Sequence, residues 1–130
     1  MSGLYQGSTP KYLTRIRDEN GAQLDPENSA HILEVRIWIY NSISGVEIAK
    51  FYLNTPPVPS TGWRQATVKD VTLTDKRVMF FLTAAETNLA PPNKNEIQIE
   101  VTVPDTDCPP DNERIIKKKG RFPDIAPAKS

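Results

Sequence analysis

Hydrophobic and polar positions alternate with a period of two along most of this chain. That spacing puts successive side chains on opposite faces of a β-strand. The clearest run is residues 31–41, where Leu33, Val35, Ile37 and Ile39 alternate with Glu34, Arg36, Trp38 and Tyr40. The first set predicts a core face and the second an amphipathic, half-exposed one. His31 opens the run and shares the face of Leu33 and Val35. A turn over Ser42, Ile43, Ser44 and Gly45 then predicts a β-hairpin whose return strand covers residues 46–53. Before it, Tyr12, Thr14 and Ile16 share a face, and the strand they predict runs into a turn at Asp18, Glu19, Asn20 and Gly21, where glycine supplies a positive φ.

The second half continues the pattern. Strands are predicted over 66–73 and 77–82, joined near Thr74, Asp75 and Lys76. Another covers 96–103, with Ile97, Ile99, Val101 and Val103 inward and Gln98, Glu100 and Thr102 outward. A last one covers 113–119 around Ile115 and Ile116. Thr83 with Glu86 three positions on has the form of a capping box, but Pro91 and Pro92 limit the helix it starts to a short turn. Pro56, Pro57 and Pro59 cannot donate to a ladder and predict an extended surface loop. Together these features predict an all-β, Ig-like antiparallel β-sandwich of about seven strands. An up-and-down barrel is the alternative. The expected organisation is an extended N-terminal arm (1–10), a sandwich domain (11–120) and a Pro-containing C-terminal tail (121–130).

Composition narrows the function rather than naming it. The chain has 130 residues, which fits one domain. Sixteen Lys and Arg balance sixteen Asp and Glu, so the net charge is zero and there is no global field for non-specific nucleic-acid binding. One His and one Cys exclude an intrachain disulfide and a zinc site built on those ligands. The longest apolar run has five residues, Val78 to Leu82, against about 20 for a helical membrane span. The first ten residues have neither the basic nor the apolar segment of a signal peptide.

Candidate chemistry is sparse. A Ser–His or Cys–His mechanism would have to use His31, and Cys108 has only acidic and proline neighbours, so both read as structural. The acidic segments around Asp18 and Asp105 lack the glycine and spacing of an EF-hand and read as solvated turns. No phosphate-binding glycine motif occurs. No catalytic residue, metal or cofactor is therefore expected. The surface is richer. Trp38, Tyr40, Tyr52 and Trp63 form an aromatic set fit for a protein interface, a core contact or sugar stacking. Lys117, Lys118, Lys119 and Arg121 form the one basic run, which suits an edge strand guarded against aggregation, or contact with phosphate backbones or an acidic protein partner.

Three segments in order carry a family likeness: residues 18–25 (DENGAQLD), 78–87 (VMFFLTAAET) and 97–105 (IQIEVTVPD). They resemble the small Ig-like β-sandwich domains of tailed-bacteriophage structural proteins, such as the N-terminal domains of upper baseplate proteins. The proline loop at 56–59 is foreign to that pattern. The resemblance implies a non-enzymatic virion component of tail, baseplate, neck or capsid surface, assembled in the host cytoplasm. Its expected partners are other virion proteins and further copies of itself in an oligomer or ring, with no nucleic acid, membrane or small-molecule substrate. A carbohydrate-binding β-sandwich using exposed Trp and Tyr is the alternative.

Overall fold

The computed structural model describes residues 4–54 and 62–127. The predicted proline loop lies outside them. In chain order the elements are β1 (Leu4–Tyr5), β2 (Lys11–Thr14), β3 (Glu34–Asn41), β4 (Glu47–Asn54), β5 (Arg64–Gln65), β6 (Thr67–Asp70), β7 (Lys76–Phe81), α1 (Ala84–Leu89), β8 (Asn95–Pro104), β9 (Glu113–Arg121) and β10 (Ile125–Ala126). Seven of the strands have four residues or more, and three have two.

The fold is an all-β sandwich. One sheet has the order β5-β4-β3-β8-β9 and the other β2-β7-β6. Val35, Ile37 and Ile39 of β3, Phe51 of β4 and Val101 of β8 turn inward to meet Val78 and Phe80 of β7, with Ile16 and Leu82 in the same cluster. Each of these is at most 3% exposed. The period-two reading of β3 therefore holds residue by residue. Pairing is antiparallel except between β4 and β5 and between β1 and β10. A register shift at Ile39 and Tyr40 marks a bulge in the β3–β4 hairpin.

The ends of the hairpin are set by a buried amide network. Asn41 and Asn95 are 4% and 0% exposed. Asn41 Nδ2 donates to Asn95 Oδ1 at 3.1 Å and to the Asn93 carbonyl at 2.8 Å. Asn41 Oδ1 accepts from the Ile43 and Ser44 amides at 3.1 and 2.9 Å, an arrangement that holds the turn. Helix α1 begins with the predicted capping box: the Thr83 hydroxyl accepts from the Glu86 amide at 3.2 Å, and Glu86 accepts from the Thr83 amide at 2.8 Å.

Three expectations change. First, His31 is not in a strand. It is exposed in the turn before β3, and its Nδ1 accepts from the Asp25 amide at 3.3 Å, while Ile32 takes the buried place beside it. Second, β6 ends at Asp70, and Leu73 is 95% exposed. Third, the described parts of the two termini do not extend as free arms. They pair with each other as β1 and β10, and the Gln6 amide donates to the Ala126 carbonyl at 2.8 Å. Phe122 and Ile125, 2% and 0% exposed, are apolar anchors that hold the C-terminal segment against the body.

Candidate functional site

The outward faces of β4, β3, β8 and β9 form a grid whose rows follow from the strand registers. One row runs Tyr52, Arg36, Glu100, Lys117; the next Lys50, Trp38, Gln98, Lys119; the third Glu47, Tyr40, Glu96, Arg121. Cross-strand neighbours of this kind sit about 5 Å apart, so the side chains of each row lie within reach of one another.

Trp63, in the segment entering β5, lies over the grid. Its ring meets Trp38 edge-on, with centroids 4.9 Å apart and planes at 77°. The Arg36 guanidinium lies 4.7 Å and the Lys50 ammonium 5.0 Å from the Trp63 ring centre. Two cations on one indole hold it in place through attraction to its π-face. Arg36 is further fixed by an ion pair with Glu34, and Lys50 by one with Glu47 at 3.6 Å. Partial burial, then a hydrogen bond to Glu96 and its negative charge, raise the Tyr40 phenol above its ordinary pKa. Trp38, Tyr40, Gly45, Glu47 and Gln98 line a shallow depression of about 290 Å³.

The predicted site residues thus divide. Trp38, Tyr40 and Trp63 come together on one face, and Lys117, Lys119 and Arg121 continue it. Tyr52 belongs to the same rows but is only 3% exposed. Lys118 points to the opposite side of the sheet, where its ammonium donates to the Asp18 carbonyl at 3.0 Å. Three consecutive lysines therefore do not make one patch, because a strand sends neighbours to opposite faces.

No protein-family model, characterised protein or solved structure matches this chain.

Other chemical candidates resolve into structure. Both Asp75 oxygens are taken, by Arg15 at 3.0 and 3.1 Å and Arg77 at 2.8 and 3.2 Å, with Gln23 donating as well. The Arg77 and Arg15 hydrogen bonds hold its carboxyl well below the usual carboxylate range. Such a group is a staple between segments rather than an acid or base. Burial and then the charges of Asp105 and Asp107 push the Cys108 thiol up, opposite to the activation a nucleophile needs. Asp18 accepts from the amides of Asn20 and Ala22, and Asp105 from the amide of Asp107, so both acidic segments use their carboxylates to hold turns. Among the described residues no group of three or more His, Cys, Asp or Glu is placed to hold a metal.

Sequence reasoning set Arg36 on the face of Trp38 and Tyr40 and turned Gln98 outward, but counted neither of them, nor Lys50, among the site residues. Arg36 was legible there, because it alternates in phase with Trp38 and Tyr40. Lys50 and Gln98 enter only through registers between strands.

Proposed function

We propose that this chain is a non-enzymatic structural module of a tailed-bacteriophage particle, docking onto neighbouring subunits through the outward face of its five-stranded sheet. The carrying observation is the ordered contact of Trp63 with Trp38, Arg36 and Lys50. Trp, Tyr and Arg dominate the energetic centres of protein interfaces. Here they are held in position before any partner arrives, which lowers the entropy lost on docking. The likeness of residues 18–25, 78–87 and 97–105 to phage sandwich domains supports the choice of particle, and zero net charge suits dense packing of many copies.

The test is sedimentation of the purified chain over a concentration series, alone and with proteins encoded beside it. Wild type is expected to form a defined multi-subunit species. Trp38→Ala is expected to weaken that association by about tenfold or more while keeping the β-rich circular dichroism spectrum. A chain that stays monomeric throughout, alone and in the mixtures, would sink the proposal.

The depression beside Trp38 and Tyr40 favours a second reading, a carbohydrate-binding module. Trp63 is engaged by two cations, so a sugar ring would stack on Trp38 or Tyr40 and bond to Gln98 or Glu47. Tryptophan fluorescence titrated against a broad glycan panel separates the readings, and a flat response dismisses this one.

A further inference from the structure

Among the described residues strand β9 closes the five-stranded sheet and pairs only with β8. Its register fixes which backbone groups are used. The Phe122 amide donates to the Asn95 carbonyl at 2.9 Å, and the Asp105 amide to the Asn112 carbonyl at 2.8 Å. Hydrogen-bonded pairs alternate along an antiparallel ladder. Arg114, Ile116, Lys118 and Gly120 therefore bond to β8, and Ile115, Lys117, Lys119 and Arg121 turn their backbone N–H and C=O to the open side. Among the described residues no strand pairs with that side.

The side chains along this edge have a definite pattern. Lys117, Lys119 and Arg121 project outward, with Ile115 in the same row and 54% exposed. Ile116 and Lys118 project to the other face. There, with Ile99, Val101 and Ile16, they line a slot of about 110 Å³ between the sheet and the segment after β2. The slot is mainly apolar, with Arg15 and Arg17 also lining it.

The paired side of β9 already shows what complements it. There β8 sets Glu100 opposite Lys117, 3.8 Å apart, and Glu96 opposite Arg121. On the other face it sets Val101 opposite Ile116 and Ile99 opposite Lys118. A second copy of β9 would instead bring Lys and Arg rows together, which like-charge repulsion disfavours. The edge lysines thus turn away self-pairing and leave the edge open to a strand of opposite charge.

We propose that the open edge of β9 is a docking site for an extended segment of a partner protein in which acidic and aliphatic residues alternate. The segment adds as a strand beside β9. Its acidic side chains meet Lys117, Lys119 and Arg121, and its aliphatic ones lie beside Ile116 at the slot. Main-chain hydrogen bonds supply affinity in this mode of recognition, and alternate side chains supply specificity. The edge borders the aromatic face and shares its Lys117, Lys119 and Arg121 rows, but the strand-addition proposal does not depend on the particle reading, and the variants below leave Trp38 and Tyr40 untouched.

A fluorescein-labelled peptide copying residues 95–104, in which Glu96, Gln98, Glu100 and Thr102 alternate with Ile97, Ile99, Val101 and Val103, is titrated with the full chain by fluorescence anisotropy. A control peptide carries Lys in place of Glu96 and Glu100. Saturable binding is expected at low salt, weakening at about 0.15 M salt. The control peptide is expected to bind about tenfold more weakly or not at all. Lys119→Pro removes one open-edge N–H and leaves the β8 ladder intact, so it should fold normally and lose binding by about tenfold or more. Should that variant fold poorly, the double charge reversal Lys117→Glu with Lys119→Glu carries the same expectation. No saturable binding at low salt overturns the proposal. So does equal binding by both peptides, or undiminished binding by a folded edge variant.

Discussion

Removing the hydroxyl of Tyr12 is expected to stabilise this protein. The ring is held between Phe80 and Phe122, with centroid separations of 5.4 and 5.2 Å. The hydroxyl oxygen is buried and has no hydrogen-bond partner among the described residues. A buried polar group without a partner costs about 1–3 kcal/mol, because the unfolded chain lets water bond to it. Tyr12→Phe keeps the ring contacts and removes that cost, so a gain of about 1 kcal/mol is expected, equivalent to roughly 4 °C in Tm for a domain of this size. Urea denaturation followed by the fluorescence of Trp38 and Trp63 measures it. The pH dependence gives a second, independent readout. Burial pushes the Tyr12 phenol from 10.0 up to about 12 in the folded state. A raised pKa means that the contribution is fully present below pH 10.0 and is lost as pH rises towards about 12, because the unfolded chain releases that proton first. The advantage of Tyr12→Phe over wild type should therefore widen across that window. A loss of 1 kcal/mol or more in the variant at neutral pH, on the scale of a lost hydrogen bond, would refute the reasoning, since it would mean that the hydroxyl is bonded in solution.

Asn41→Ala removes the acceptor of the Ile43 and Ser44 amides and leaves Asn95, 0% exposed, without one of its partners, so a loss of about 2–3 kcal/mol is expected in urea titration. Glu86→Ala breaks half of the capping box and the Arg64 ion pair, at 2.8 and 3.0 Å, and should cost about 1–2 kcal/mol by the same assay. Asp75 has a depressed folded-state pKa, so its contribution is present above its ordinary value of 3.8 and is lost as pH falls below it. Thermal melts between pH 6 and 2 are expected to fall less steeply for Asp75→Asn than for wild type, and parallel slopes would contradict the staple role.

Strand identity was legible where one face of a strand is wholly buried. In β3 the alternation of Val35, Ile37 and Ile39 with charged and aromatic residues leaves only one way to face the core. The capping box at Thr83 and Glu86 was equally legible, because both of its hydrogen bonds are local. Reading failed where short-range pattern carries little weight. His31 continues the alternation of β3 in the sequence, yet the backbone there closes turns, with the His31 and Ile32 amides both donating to the Asn28 carbonyl. The C-terminal segment looked like a loose tail because Pro123 and Pro127 dominate it. Phe122 and Ile125, separated by two polar or proline positions, gave too brief an apolar signal to predict a strand, and their burial depends on a partner at the other end of the chain.

By itself the sequence determined the class of fold, the approximate positions of the seven longer strands, the hairpin turn and the cap of α1. Each depends on neighbours within a few residues, where side-chain period and turn chemistry act directly. Only the tertiary structure decided which strands adjoin. Register brought Lys50 and Gln98 beside Trp38, laid Trp63 over Arg36, buried Tyr52, sent Lys118 away from Lys117 and Lys119, and joined the two ends of the chain. Those outcomes depend on long-range pairing, and no local pattern encodes which surface a strand will meet.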